Sequence, residues 1–216
     1  MSTPSEAETM ISGLNASRVE TRNTEKPVIL WEPQPDSCTS GNLLACLHAA
    51  QKVDVFSPNH IELARLYGLD NIKTDNTILE ELATEVIKSG IGQKNQGLLA
   101  LRAGDKGCLI ASQTIAPVWV PAFVNPPPDS NLPAEGVKVI DPTGCGNAFL
   151  GAFAFGLAKT RNPVKAGMYG NVAARFVFEQ IGVPTLKYEQ GGSELWNNVD
   201  VQKRFAEYIT EFNLSL

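Results

Sequence analysis

Apolar positions along the chain fall into short continuous runs that alternate with stripes at helical spacing. PVILWE, residues 27–32, is an apolar run bounded by proline, the pattern of a buried strand. A Pro/Cys/Ser/Gly loop follows, NLLACLHAAQK has helical spacing, and VDVFSPN gives a second strand ending in a turn. HIELARLYG predicts a short helix closed by Gly68, and TILEELATEVIKSG a longer one with Gly90 in the stop position. LLALRAGDKGCLIA reads as two strands around a Gly-Asp-Lys-Gly turn, and PVWVP as a third. Five prolines in sixteen residues make 121–136 an irregular surface loop. Beyond VKVID the pattern turns helical, over 146–160, 163–181 and about 197–213.

Strands alternating with helices, then a β-meander and a helical tail, predict an α/β layered domain. Such sheets bind ligands outside the carboxyl ends of their strands, where SPNHIE and DPTGCGN both fall, so two loops at one rim can face one ligand. Residues 1–25 are polar and read as a flexible leader without the order of a secretory signal. Residues 26–216 then form the folded part.

Composition narrows the class modestly. The formal charge of −5 argues against a general nucleic-acid or anionic-membrane partner. No apolar run approaches the roughly 20 residues needed to span a bilayer. The four cysteines form no Cys-x-x-Cys pair and have two histidines to join them, which makes a zinc site improbable. Reduced thiols in a cytosolic or nuclear compartment are the expectation, the cytoplasm being the preferred of the two.

The candidate chemistry sits in DPTGCGNAF, residues 141–149. Gly144 and Gly146 let the backbone approach a ligand closely, and the N–H groups of the first helical turn favour a negative charge. A Gly-rich turn that merely allows close helix packing is the competing account. No Walker Gly-x-x-x-x-Gly-Lys-Ser/Thr, dinucleotide glycine triplet or Gly-x-Ser-x-Gly elbow occurs.

The order of motifs resembles the carbohydrate kinases that include ribokinase, fructokinase and adenosine kinase, commonly called PfkB. DPTGCGNAF is similar to their Asp-Thr-x-Gly-Ala-Gly-Asp-x-Phe signature at Asp141, Thr143, Gly144, Gly146 and Phe149. SPNHIELARL resembles their Asn-x-x-Glu motif at Asn59 and Glu62, and RAGDKGCLI their Thr-x-Gly-x-x-Gly hairpin at Gly104 and Gly107, with Arg102 where Thr is usual. GNVAARFVF puts Asn171 and Ala174 where the family sets an Asn and small residues against the nucleotide. EPQPDSC and the Gly-x-Gly-Asn variant resemble a fungal subgroup, the maintenance-of-killer-like proteins.

The resemblance implies a ribokinase-like three-layer α/β/α fold, truncated at its N-terminal side, that holds ATP. The backbone of Gly144, Cys145 and Gly146 would form an anion hole for the transferred phosphoryl group. Arg102, Gly104, Gly107, Asn171 and Ala174 would line the nucleotide. Asn59 and Glu62 would position Mg²⁺, and Asp141 and Thr143 would lie near a monovalent cation such as K⁺; capping the next helix accounts for those two equally well.

Two departures qualify this. Asn147 stands where the family has the Asp that takes the proton from the acceptor hydroxyl, and an amide has no useful basicity. The family's N-terminal half, with its sugar-gripping residues, has no counterpart in this sequence. The expected partners are therefore a nucleotide, a sugar or nucleoside acceptor, and a second copy or complementing chain. The competing expectation is a catalytically inactive nucleotide-binding protein.

Overall fold

The computed structural model describes residues 1–20, 27–70, 75–124, 138–189, 192 and 194–214. It divides into two compact units, Met1–Ala103 with Leu109–Trp119, and Gly104–Cys108 with Val120–Leu216. Most of the proline loop at 121–136 lies outside the described residues.

The first unit is built on a five-stranded sheet in the order β1 (Leu30–Trp31), β2 (Val55–Phe56), β3 (Leu98–Arg102), β4 (Cys108–Ser112), β5 (Val118–Val120). β1, β2 and β3 run parallel, pairing Leu30 with Val55, Trp31 with Phe56, and Val55 with Leu98. Parallel neighbours need crossovers, and helices supply them. α2 (Leu43–Ala50) joins β1 to β2; α3 (His60–Leu66) and α4 (Asn76–Ser89) join β2 to β3. The β3–β4 and β4–β5 links are too short for a parallel crossover, so both are hairpins. Val55, Phe56, Leu99, Leu101, Leu109 and Ile110 are fully buried, as continuous apolar runs in a covered sheet should be.

Of the leader expected over 1–25, residues 21–25 lie outside the described residues, and 4–20 are instead a helix, α1 (Pro4–Glu20). Its start is specified locally. Thr3 Oγ1 accepts from the Glu6 N–H and Glu6 Oε2 accepts from the Thr3 N–H, a capping box, with Pro4 in the first turn. Ala7 and Ile11 bury in the core, and the Trp31 indole donates to Ser2 Oγ at 3.1 Å. Two apolar residues one turn apart suffice to dock the helix even though Met10 and Leu14 stay exposed, which is why composition alone misread it. Glu8 reaches His48 Nδ1 on α2 at 2.7 Å and Lys52 Nζ just beyond it at 2.8 Å. Trp119 in β5 donates to Glu80 Oε1 at 2.6 Å.

The second unit carries α5 (Cys145–Thr160) and α6 (Pro163–Phe178), joined by two residues and hence antiparallel neighbours. They pack closely: a Cβ on Gly170 would lie 2.5 Å from the Phe149 ring. The helix expected over 197–213 begins later. β6 (Leu186–Tyr188), β7 (Glu194–Trp196) and β8 (Val199–Asp200) form a small antiparallel sheet, and α7 covers Val201–Glu211. Asn197 and Asn198 both have positive φ, the two-residue hairpin turn that Asn tolerates, so helical spacing could not extend through them. Among the described residues no helix is long and apolar enough to cross a membrane.

All four cysteines are free thiols. Burial pushes the Cys38 thiol up to about 12 and Cys46 to about 11, and raises Cys108 as well. Cys145 is half-buried and is also raised by burial. Thiolate is the reactive form, so alkylation at pH 8 should label Cys145 first and the other three at the rate of unfolding. Peptide mass mapping after brief iodoacetamide treatment checks this; early labelling of Cys38, Cys46 or Cys108 would contradict the packing described.

Candidate functional site

In the first unit, three parallel strands end at one rim and bring three charged side chains together. Glu32 follows β1, Ser57 to Asn59 follow β2, and Arg102 closes β3. Arg102 N donates to Pro58 O at 3.1 Å, and an isolated parallel bridge pairs Asn59 with Arg102, so the β2 exit runs directly beside the end of β3.

Asn59 caps α3. Its Oδ1 accepts from Ile61 N and Glu62 N, each at 2.9 Å, while Glu62 Oε2 accepts from Asn59 N at 2.7 Å. This capping box turns Glu62 inward, where it is 2% exposed. Arg102 Nη2 meets Glu32 Oε1 at 2.6 Å and Glu62 Oε2 at 3.6 Å, and donates to Ser57 O at 3.0 Å. Burial raises the Glu62 carboxyl above its ordinary value, while the Asn59 N–H and the Arg102 guanidinium pull it down.

These residues do not fit a divalent cation. The inward Glu62 oxygen is already held by an amide N–H and faces a guanidinium. Among the described residues no group of three or more His, Cys, Asp or Glu is placed to hold a metal. Glu32, the carboxylate nearest Arg102, was not singled out in the sequence. An acid directly after a buried apolar strand was the available signal, since such a residue is seldom buried without a cationic partner.

In the second unit, the expected anion-binding loop forms the mouth of α5. Gly144 is the N-cap residue with φ 89°, a left-handed conformation that disfavours other residues, and no side chain caps the helix. Cys145 N donates to Pro142 O and Ala148 N to Gly144 O. The N–H groups of Gly146 and Asn147 find no acceptor among the described residues, and Gly144 and Asn147 are exposed. The mouth is open and carries the positive end of the helix dipole.

Upstream, Asp141 Oδ1 accepts from Thr143 N at 2.9 Å, closing a tight turn. Hydrogen bonds from the Thr143 N–H and hydroxyl hold the Asp141 carboxyl below its usual range, so it is ionised at neutral pH. The Cys145 thiol donates to Ala174 O at 3.6 Å, tying the start of α5 to α6 and bringing Ala174 beside the loop.

Asn171 and Gly107 meet elsewhere in the second unit, at Val120–Pro121. Asn171 Nδ2 donates to Val120 O at 3.1 Å, Pro121 O at 2.8 Å and Tyr208 Oη at 3.3 Å. Gly107, φ 91°, lies so close that a Cβ would come 2.1 Å from Val120 O. Gly104, φ 62°, begins the same turn. Tyr208, also bonded to Pro121 O, was not anticipated. The Asn171 amide is thus engaged by protein, as is the Arg102 guanidinium in the first unit.

Comparison with known proteins bears on the family and the fold. The pfkB family of carbohydrate kinases matches residues 16–188. An uncharacterized Schizosaccharomyces pombe protein is 36% identical over 187 residues, covering 85% of this chain and 52% of that protein. Protein MAK32 of Saccharomyces cerevisiae is 31% identical over 204 residues, covering 91% of this chain and 53% of that protein. The chain therefore spans about half the length of these curated relatives. Among solved structures, Escherichia coli phosphofructokinase-2 in complex with substrates and products has a TM-score of 0.59 at 18% identity, over 94% of this chain and 52% of that one. Arabidopsis thaliana ribokinase complexed with ribose and ATP has a TM-score of 0.50 at 21% identity, over 63% of this chain and 38% of that one. These likenesses establish a ribokinase-like α/β fold.

Proposed function

Because the chain belongs to the pfkB family of carbohydrate kinases, we propose that it binds ATP and presents the terminal phosphoryl group to a sugar- or nucleoside-type alcohol. The observation that carries this reading is the open, uncapped mouth of α5. The N–H groups of Gly146 and Asn147 have no protein acceptor among the described residues, and a phosphoryl oxygen supplies one. A capping side chain at Gly144 would compete for the same donors. The ionised Asp141 suits a neighbouring monovalent cation such as K⁺, which would add positive charge near the phosphoryl oxygens.

In transfer, the acceptor oxygen attacks the terminal phosphorus, the bridging P–O bond breaks, ADP leaves, and the hydroxyl proton must go to a base. Asn147 is exposed at the mouth and can orient that hydroxyl or donate to a phosphoryl oxygen; it cannot take the proton. This favours a second reading, a nucleotide-binding protein that has lost turnover. Supporting both are the family match and the ATP held by the Arabidopsis ribokinase.

Calorimetric titration with ATP tests the shared premise: heat of binding is expected, and its absence at millimolar nucleotide would remove both readings. Turnover separates them. ADP release across sugars and nucleosides should be slow for the chain as it stands, and Asn147→Asp should raise it by about 10² to 10⁴ if the remaining geometry is competent. A normal kinase rate without that substitution, and no gain with it, would overturn the account of Asn147.

A further inference from the structure

The rim of the first unit holds a buried cluster in which the family resemblance gives Glu62 to Mg²⁺ and Arg102 to the nucleotide. Glu32, Arg102 and Glu62 form a carboxylate–guanidinium–carboxylate row, with Arg102 Nη2 at 2.6 Å from Glu32 Oε1 and 3.6 Å from Glu62 Oε2. Their side chains are 10%, 12% and 3% exposed, so a single guanidinium faces two carboxylates largely out of water. A Ser57 carbonyl takes a further N–H from the same Nη2 at 3.0 Å.

We propose that Arg102 is the resident cation of Glu62, standing where the family sets a threonine and doing at that carboxylate what a bound divalent ion would otherwise do. The correspondence of Asn59 and Glu62 to a metal-positioning motif rests on the family reading, and the replacement on this chain's geometry. A divalent ion at Glu62 Oε2 would have to displace the Asn59 N–H or lie within a few ångströms of the guanidinium, and like charges at that separation repel strongly in a buried setting. Glu32 holds Arg102 in place. A lone guanidinium near Glu62 could swing away to admit a metal, but a 2.6 Å pair to Glu32 and the bond to Ser57 O both anchor Arg102 Nη2. The substitution is self-consistent in the sequence: an Arg at the end of β3 requires an acid at the end of β1, and Glu32 supplies it.

The consequence is a first unit that is indifferent to divalent ions at Glu62. Titration with Mn²⁺ alone, followed by electron paramagnetic resonance, tests this without nucleotide, so failure here is distinguishable from failure of ATP binding. The chain as it stands and Glu62→Gln should bind Mn²⁺ equally weakly, Gln being able to keep the capping box. Arg102→Thr should gain about 10-fold or more in affinity, and the gain should vanish in the Arg102→Thr/Glu62→Gln double variant. Because Arg102→Thr leaves two buried carboxylates facing each other, its thermal midpoint should also rise with Mn²⁺ while that of the original chain does not. A folded Arg102→Thr with no gain overturns the proposal, as does Mn²⁺ binding by the original chain that weakens in Glu62→Gln. Should Arg102→Thr fail to fold, ¹⁵N spectra of the Arg102 side chain in the original protein decide: resonances unbroadened by Mn²⁺ support the resident cation, and paramagnetic broadening sinks it.

Discussion

Gly107→Ala should lower the thermal midpoint by roughly 6–12 °C, the equivalent of about 3 kcal/mol for a chain of this size. Two causes act together. The backbone at Gly107 has φ 91°, where any Cβ is strained, and the new methyl would sit 2.1 Å from Val120 O and 2.5 Å from Ala122 N. Neither neighbour is a flexible side chain that can step aside; both are backbone. The family resemblance assigns this glycine to the nucleotide. If that were its whole role, Gly107→Ala would weaken ATP binding and leave unfolding unchanged, so calorimetric scans without ligand separate the two accounts.

Asn171→Asp should cost more, about 3–5 kcal/mol at neutral pH. The buried amide donates to two backbone carbonyls and the Tyr208 hydroxyl oxygen. A carboxylate of the same shape would turn oxygen toward oxygen and bury a charge with no cation supplied. The sign of its pH dependence follows. Burial among acceptors raises the folded-state pKa of the new Asp above its unfolded value of about 3.9, so the protonated form is favoured in the native state. The deficit relative to the original chain is then smallest below about pH 4 and grows as pH rises through the raised folded value. Unfolding midpoints of the two proteins across pH 3.5 to 7.5 check this. A constant difference would show that the carboxyl is not desolvated as the Asn171 environment requires.

The α/β class and the glycine-led start of α5 were readable from apolar runs and glycine spacing. Each follows from chemistry confined to a few consecutive residues. What the sequence withheld depends on residues far apart in the chain. Glu32 meets Arg102 across 70 positions, and nothing local at either end names its partner. Asn171 finds Pro121 at a separation of 50, so its amide looked available for a ligand when it is committed to backbone. Two misreadings were local and avoidable. Thr3-Pro-Ser-Glu6 is a capping-box signature within what looked like a featureless leader, and Asn197-Asn198 is a hairpin turn within what looked like helix.

The placement of the three tryptophans has a practical consequence. Trp31, stacked on Phe56 at 5.2 Å, and Trp119, bonded to Glu80, both report from the first unit, while Trp196 lies in β7 of the second. Replacing either Trp196 alone or the other pair with Phe leaves emission from one half of the molecule. Denaturant titrations of the two proteins would then say whether the halves melt as one cooperative block or in succession.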